Sequence, residues 1–131
     1  MIASDSSPII NLGKQGFLEL LKKCFGKVIV PKAVFVEIMK RENSTEAKSF
    51  EKGINERWII VERVDISPVI ETKNLGIGEK EAVSLAAKMN YLLLMDDDNA
   101  KKYASILNIE SHGTIFVIFL SVLKKLKFVE L

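Results

Sequence analysis

The feature that most constrains the fold of this chain is a set of short apolar runs separated by segments of helical periodicity. The runs are KVIV (27–30), WIIVERV (58–64) and YLLLM (91–95), with MIAS (1–4) and IES (109–111) as weaker candidates. Strands as continuously apolar as YLLLM are typical of a parallel sheet that is covered on both faces. Strands that alternate with helices therefore predict an α/β fold with a parallel sheet.

The segments between these runs predict helices. Apolar residues at helical spacing over 6–25 predict one long helix, which we expect to end at Gly26. Further helical patterns lie at 32–41, 44–58, 79–89 and 99–107, and from Gly113 onward. The stretch 65–78 contains one proline and two glycines, and we expect it to be a loop.

Length and composition limit the class of protein. A chain of 131 residues, 48% of them hydrophobic, is long enough to bury a core, so we expect a single domain over 1–131. The net charge of +2 permits nucleic-acid binding without arguing for it. Cys24 is the only cysteine, which excludes an internal disulfide and a cysteine-rich zinc site.

The location expected from the sequence is the cytoplasm. The first ten residues lack a basic region followed by a long apolar stretch, so we expect no signal peptide. The most apolar run, TIFVIFLSVL (114–123), has ten residues, against the roughly 20 that a membrane-spanning helix needs. We therefore expect this run to form a buried core helix. A single cysteine also fits a reducing compartment.

Carboxylates follow two of the predicted strands directly. Asp5 comes after MIAS, and Asp96, Asp97 and Asp98 come after YLLLM. In open α/β sheets the ligand site lies beyond the carboxyl ends of the strands, so these side chains can converge if the two strands are neighbours. Asp98 has a simple structural explanation, as the N-cap of the helix that follows. Asp96 and Asp97 are harder to explain in that way.

Three glutamates add to this set. Glu37 stands among five apolar neighbours in AVFVEIM, so it is either an ordinary exposed helix position or a residue that faces a cleft. Glu79 and Glu81 fall in the first turn of a predicted helix, where the helix dipole alone favours acidic residues. Each glutamate taken singly is consistent with a structural role, so the functional interpretation depends on the whole set.

A cluster of carboxylates is mutually repulsive unless a cation neutralises it. All-oxygen ligand sets suit hard ions such as Mg²⁺ or Mn²⁺, which can activate water and stabilise charge on a phosphodiester. Other catalytic groups are scarce: His112 is the only histidine, expected in an exposed loop, and no phosphate-binding glycine motif is present. A phosphotransferase of the haloacid dehalogenase kind is disfavoured, because its Asp-x-Asp motif would follow an early strand, whereas Asp96–Asp98 come late in this chain.

The order of these motifs resembles that of the PIN domain family. The resemblance covers essentially the whole chain, and its four motifs are ASDSSPIINL, VIVPKAVFVEIM, GEKEAVSLA and LLLMDDDNAKKYA. It implies a three-layer α/β/α sandwich with a central, mainly parallel sheet, and a single nuclease domain over 1–131. It also implies a metal-dependent ribonuclease that hydrolyses single-stranded RNA, often as the toxin of a toxin–antitoxin pair.

Carried over by position, the resemblance implies roles for particular residues. The acidic quartet that would hold Mg²⁺ or Mn²⁺ and act in catalysis is Asp5, Glu37, Glu79 and Asp97. Asp97 is preferred to Asp96 because Ala104 stands where the family's helix usually has an alanine. Asp96 and Glu81 are supporting or alternative acids, Ser6 and Ser7 line the site, and Lys14, Lys101 and Lys102 are expected to contact RNA.

The resemblance also implies partners. A homodimer is the usual arrangement in the resembled family, and an antitoxin protein would be the cognate partner. Two residues depart from the family pattern: Met95 stands where many members have Thr or Ser, and Glu79 where many have Asp. The alternative to a ribonuclease is a catalytically weak or inactive PIN-like module that binds a partner protein or RNA.

Overall fold

The computed structural model of the chain describes residues 1–125, in which the backbone forms five strands and eight helices. The strands are β1 (Ile2–Ser4), β2 (Val28–Pro31), β3 (Ile59–Glu62), β4 (Leu93–Leu94) and β5 (Ser111–His112). The helices are α1 (Ser6–Lys14), α2 (Glu19–Phe25), α3 (Lys32–Met39), α4 (Thr45–Asn55), α5 (Pro68–Glu71), α6 (Ile77–Met89), α7 (Asp98–Ile106) and α8 (Thr114–Lys125).

All five strands pair in one parallel sheet in the order β3-β2-β1-β4-β5. β1 lies at the centre, where Ile2 pairs with Val28 of β2 and Ala3 pairs with Leu93 of β4. The chain builds outward from β1 to β3 and then crosses back to add β4 on the other side of β1. Because the strand order reverses between β1 and β4, a crevice is expected at the carboxyl ends of these two strands.

The sheet separates two hydrophobic cores, because successive side chains of a strand point to opposite faces. In β1, Ile2 packs in one core and Ala3 in the other, and in β4 Leu94 and Leu93 divide in the same way. Helices α1 to α4 and α8 supply side chains to the first core, whereas α5, α6 and α7 supply the second. This arrangement confirms the three-layer α/β/α sandwich with a parallel sheet.

Two predicted elements need correction. The single helix over 6–25 is wrong, because the chain breaks between α1 and α2. Gly16 in this break has a φ of 74°, a left-handed conformation that lies outside a helix and that glycine adopts without strain. The loop over 65–78 is also wrong in part, because its proline opens the short helix α5 and α6 already begins at Ile77.

The last described helix, α8, is less buried than its composition suggested. Val117 is the only residue of this helix that is fully buried, whereas Ile115 is 78% exposed and Phe119 is 58% exposed. The helix packs on α1 and α2 along one stripe and leaves its other faces to solvent. The prediction of a buried core helix over 114–123 is therefore wrong for most of its length.

The remaining described elements begin and end within a few residues of their predicted bounds. Across residues 1–125, no helix is both long enough and apolar enough to cross a membrane. The closing segment KFVEL (127–131) lies outside the residues that the structure describes.

Candidate active site

Asp5 follows β1 directly at the carboxyl edge of the sheet and is 3% exposed. Its Oδ1 atom is buried and has no hydrogen-bond partner among residues 1–125. Burial is the main cause that raises the pKa of Asp5 to about 7, and the Ser6 backbone N–H opposes this effect. The negative charges that add to the rise in this pKa are those of Glu79, Glu37 and Asp96. Three negative charges therefore act on a buried carboxyl group, and no positive charge from residues 1–125 is among the causes of its pKa shift.

Glu37 and Glu79 come from α3 and α6, two helices that pack against each other. A Cβ atom built on Gly78 would lie 3.3 Å from Glu37 Oε2 and 3.8 Å from Asp5 Oδ1. Because residue 78 has no side chain, an open point is left beside both carboxyl groups. Glu79 Oε1 accepts a hydrogen bond from the Gly76 N–H at 2.9 Å, which fixes the first turn of α6.

These acids open into a cleft of about 640 Å³. Predicted site residues that line the cleft are Asp5, Glu37, Glu79, Ser6, Ser7 and Glu81. The cleft lies beyond the carboxyl ends of β1 and β2, whereas Asp96, which follows β4, lines a separate cavity. The structure therefore brings together three of the four acids that the family resemblance assigned, together with both hydroxyl residues.

Glu81 makes a structural contact within this cleft. Its Oε1 accepts a hydrogen bond from the Ala33 backbone N–H at 3.0 Å. Ala33 lies in the first turn of α3, where a helix leaves N–H groups without intrahelical partners, so Glu81 caps α3 from α6. This bond holds together the two helices that carry Glu37 and Glu79.

Asp96 is half-buried after β4, and both of its oxygens accept hydrogen bonds. Oδ1 accepts a bond from the Thr114 backbone N–H at 2.7 Å, and Oδ2 accepts one from the Thr114 hydroxyl at 2.7 Å. Oδ2 also accepts a bond from Asn11 Nδ2 at 3.0 Å. Asp96 thus connects α8 and α1 to the end of β4, and its charge contributes to the raised pKa of Asp5.

Asp97 is exposed and caps α7. Its Oδ1 accepts a hydrogen bond from the Ala100 N–H at 2.8 Å, and the helix itself begins at Asp98. The prediction that Asp98 is the N-cap is therefore wrong by one residue. The charge of Asp96 is among those that raise the pKa of Asp5, whereas the charge of Asp97 is not.

The lysines predicted to contact RNA are not among the residues that line the acidic cleft. Lys14 ends α1 and lines a separate cavity that it shares with Asp96. Lys101 lies on α7, where its Nζ would be 3.5 Å from a Cβ built on Gly113. Lys102 is exposed on the same helix. Lys14 and Lys101 therefore lie near Asp96, and none of the three lysines lines the cleft that holds Asp5, Glu37 and Glu79.

The histidine is also placed differently from the prediction. His112 lies half-buried in β5 instead of in an exposed loop. Its ring stacks on Phe116 with the ring centroids 3.8 Å apart, and its Nε2 lies 3.1 Å from Glu110 Oε2. His112 is not one of the residues that line the acidic cleft, so its contacts indicate a structural role.

Sequence reasoning missed the cations and apolar side chains that line the cleft. Lys32 and Val36 line it from α3, Lys40 lines it from the C-cap of this helix, and Ile77 lines it from the start of α6. The first three are spaced four residues apart in KAVFVEIMK, a spacing that predicts one helix face. That signal was available in the sequence, whereas the position of Ile77 opposite this helix was not.

The donor set of this site fits a hard divalent cation in its chemistry. It consists of carboxylates, the ligands that Mg²⁺ and Mn²⁺ prefer, and one buried Asp5 oxygen has no partner in the described part of the chain. Within residues 1–125, no group of three or more His, Cys, Asp or Glu side chains is arranged to hold a metal ion. Binding of an ion would therefore require the carboxylates to move closer together than they are here. Without a counter-ion they repel one another, so only the ion itself would favour that movement.

Comparisons with known proteins agree with this architecture. A sequence profile for a family described as a PIN domain matches residues 1–130. A PilT N-terminus domain protein from the hyperthermophilic archaeon Sulfolobus solfataricus P2 is similar in structure, with a TM-score of 0.67 and 22% identity over 92% of this chain and 93% of that chain. A domain of a functionally unknown protein from Methanocaldococcus jannaschii DSM 2661 has a TM-score of 0.57 and 22% identity over 86% of this chain and 89% of that chain. A comparison with curated proteins gave no match.

Proposed function

The chain belongs to the PIN domain family, and we propose from this membership and from its acidic cleft that it is a metal-dependent endoribonuclease acting on single-stranded RNA. PIN domains are generally nucleases, and they generally use divalent metal ions. The proposed reaction is hydrolysis of a phosphodiester bond, with Mg²⁺ or Mn²⁺ as the cofactor and a single nuclease domain over 1–131.

One observation carries this proposal: the buried Asp5 oxygen without a described partner lies in the field of Glu37 and Glu79. Uncompensated charge of this kind opposes folding, and it is typical of sites that bind a cation or do chemistry. Asp5, Glu37 and Glu79 would hold the ion. We propose Asp96 as the fourth acid, because it contributes to the field at Asp5, whereas Asp97 caps α7.

Residues of the chain would supply the remaining chemistry. When bound, a divalent ion supplies a more acidic water and stabilises the charge that develops on a phosphodiester. Asp5 has a raised pKa of about 7, so it must release its proton to bind a cation, and affinity for the metal is expected to rise toward neutral pH. Ser6 and Ser7 place hydroxyl groups in the cleft that can donate hydrogen bonds to phosphate oxygens.

The test is cleavage of a fluorescent single-stranded RNA in Mg²⁺, Mn²⁺ or EDTA. The site variants are Asp5→Asn, Glu37→Gln and Asp96→Asn. The matched control is Asp65→Asn, which removes an exposed carboxylate that does not line the cleft. We expect metal-dependent cleavage by the wild-type and control proteins and its loss in the site variants. Cleavage that persists in EDTA or in Asp5→Asn would contradict the proposal.

A second candidate function is a catalytically weak or inactive module that binds a partner protein or RNA. It is favoured because no acidic or histidine cluster in the described residues is arranged to hold a metal, and because both oxygens of Asp96 already accept hydrogen bonds. Calorimetric titration with Mn²⁺ separates the two candidates. Metal binding without cleavage of any RNA, or the absence of metal binding, would favour the binding module.

The proposed biological role is that of a toxin in a toxin–antitoxin pair that acts in the cytoplasm. The resemblance of the four sequence motifs to the PIN domain family, whose ribonucleases are often the toxins of such pairs, supports this role. We expect growth arrest when the wild-type chain is expressed, and its relief by Asp5→Asn or by a small protein encoded in the neighbouring reading frame. Normal growth with the wild-type chain would contradict the toxin role and leave the nuclease proposal untouched.

We also propose a homodimer that forms through an apolar stripe of α8. Four exposed residues follow one another at helical spacing along this helix: Ile115, Ile118, Phe119 and Val122. Phe17 lines a cavity together with the first two, which extends the exposed apolar surface. Light scattering should report a dimer for the wild type and for the control Val69→Lys, and a monomer for Phe119→Lys. A monomeric wild-type protein would contradict the dimer.

A further inference from the structure

We infer that the cleft is an RNA-binding groove in which Lys32 and Lys40 contact phosphates and Val36 and Ile77 contact a nucleobase. This inference rests on the proposed function, because it names residues that bind the substrate of that reaction. These four side chains, called here the wall residues, line the same cleft as Asp5. Asp5 is buried and all four wall residues are exposed, so a ligand entering the cleft meets the wall residues first.

Two of the wall residues, Lys32 and Val36, lie on one face of α3, and Lys40 is the C-cap of this helix. The three residues are spaced four apart, so they extend over about 12 Å along the helix direction. Neither lysine forms an ion pair with any residue from 1 to 125, although Glu37 and Glu81 line the same cleft. The two ammonium groups are therefore available to an anionic ligand.

Lys32 occupies a position that its own helix does not favour. It is the first residue of α3, where the helix dipole presents its positive end and disfavours a cation. Its Nζ lies 4.7 Å from the centroid of the Phe35 ring, which supports the side chain without neutralising it. Glu81 already caps the N-terminus of α3, so the attraction of this side of the cleft for a phosphate group comes from the Lys32 charge itself.

The two apolar wall residues are exposed, although apolar side chains generally favour burial. Ile77 is 65% exposed and Val36 is 39% exposed, and both line the cleft. Ile77 stands between Gly76 and Gly78, so its sequence neighbours have no side chains that could cover it. Bases of unpaired RNA present apolar faces that can pack on such side chains, whereas bases stacked in a duplex do not. The apolar pair therefore predicts a preference for single-stranded RNA.

The first test measures the contribution of the lysines to binding. Binding of a fluorescent single-stranded RNA is followed by anisotropy in Mg²⁺, with all variants made in the non-cleaving Asp5→Asn protein. Lys32→Ala combined with Lys40→Ala is compared with Lys48→Ala combined with Lys88→Ala, which removes the same charge from exposed residues that do not line the cleft.

We expect the cleft lysine pair to weaken binding about tenfold and the control pair to change it by less than about twofold. The slope of log affinity against log salt should also fall by about 1.4 in the cleft pair, because two phosphate contacts are lost from a single strand. Equal effects of the two lysine pairs would overturn the inference.

The second test measures the contribution of the apolar pair. Val36→Ala combined with Ile77→Ala is compared with Val69→Ala, which shortens an exposed valine that does not line the cleft. We expect the preference for single-stranded RNA over a duplex of the same sequence to fall about fivefold in the cleft variant and to stay unchanged in the control. An unchanged preference in the cleft variant would overturn the contact with a nucleobase.

The outcomes distinguish this inference from the proposed function. Lysine-dependent binding by a protein whose wild-type form cleaves no RNA would support the groove and contradict the nuclease. Cleavage by the wild type, together with equal binding by the cleft and control lysine variants, would overturn the groove and leave the nuclease. The absence of RNA binding by every variant would overturn the groove.

Discussion

Asp96 and Thr114 are joined by two hydrogen bonds of 2.7 Å, one from the backbone N–H and one from the hydroxyl of Thr114. The bonds fix the start of α8 against the end of β4. The same carboxylate contributes to the raised pKa of Asp5. The start of α8 and the acidic cluster are therefore connected through the Asp96 side chain. A substitution at Thr114 is expected to alter the position of Asp96 and so the site.

Thr114→Val keeps the shape of the side chain and removes its hydroxyl. We expect the free energy of unfolding to fall by about 1 to 2 kcal/mol, because a charged acceptor loses a hydrogen bond. RNA cleavage should also slow, because Asp96 is held less firmly, and Thr114→Ser should restore both properties. Chemical denaturation and cleavage rates measure these effects. A valine variant with the stability and activity of the wild type would show that the hydroxyl has no such role.

The pKa of Asp5 predicts how stability depends on pH. This pKa is about 7 in the folded protein against an ordinary value of 3.8, so folding favours the protonated form. The resulting stabilisation is fully present below the ordinary pKa of 3.8 and is lost as the pH rises through about 7. The free energy of unfolding falls by roughly 4 kcal/mol over this range. Asp5→Asn cannot ionise, so in EDTA we expect it to be more stable than the wild type above neutral pH.

Urea denaturation of both proteins in EDTA, at about pH 5 and about pH 8, measures this difference. Asp65→Asn is the control, because its carboxylate is exposed, and it should keep the pH dependence of the wild type. If the stability of Asp5→Asn falls as steeply with pH as that of the wild type, the raised pKa belongs to another group.

Gly78→Ala fills the open point beside Glu37 and Asp5. The added Cβ would lie 3.3 Å from Glu37 Oε2 and 3.6 Å from Val34 Cγ2, so the carboxylate would have to shift. Alanine favours a helix over glycine by about 1 kcal/mol, so we expect little loss of stability while affinity for Mn²⁺ falls. Thermal unfolding and calorimetric titration measure the two properties. Unchanged Mn²⁺ affinity would mean that the ion does not use this space.

Substitutions of Asp97 distinguish a capping role from metal binding. Asp97→Ser keeps an acceptor for the Ala100 N–H, whereas Asp97→Ala loses it at a cost of about 1 kcal/mol in helix stability. We expect Asp97→Ser to retain RNA cleavage, because Asp96 is the proposed fourth acid. Loss of cleavage by a serine variant with wild-type stability would instead assign the metal-binding role to Asp97.

Much of the fold could be predicted because the signals are local. Continuous apolar runs such as YLLLM predicted strands covered on both faces, and the structure confirms the parallel sheet and its three layers. The break at Gly16 was missed because one glycine does not interrupt a helical pattern unless packing requires a turn there. The burial of α8 was overestimated because composition does not indicate which faces of a helix receive partners.

Part of the candidate site could likewise be predicted from the sequence, and part could not. The sequence by itself determined that Asp5 and Asp96–Asp98 follow strands and so stand at the carboxyl edge of the sheet. Only the tertiary structure decided that β1 lies beside β4, that the charge of Asp96 raises the pKa of Asp5, and that Ile77 lines the same cleft as residues of α3. The physical reason is that residue spacing determines faces and ends within one element, whereas distances between elements depend on how the whole chain packs.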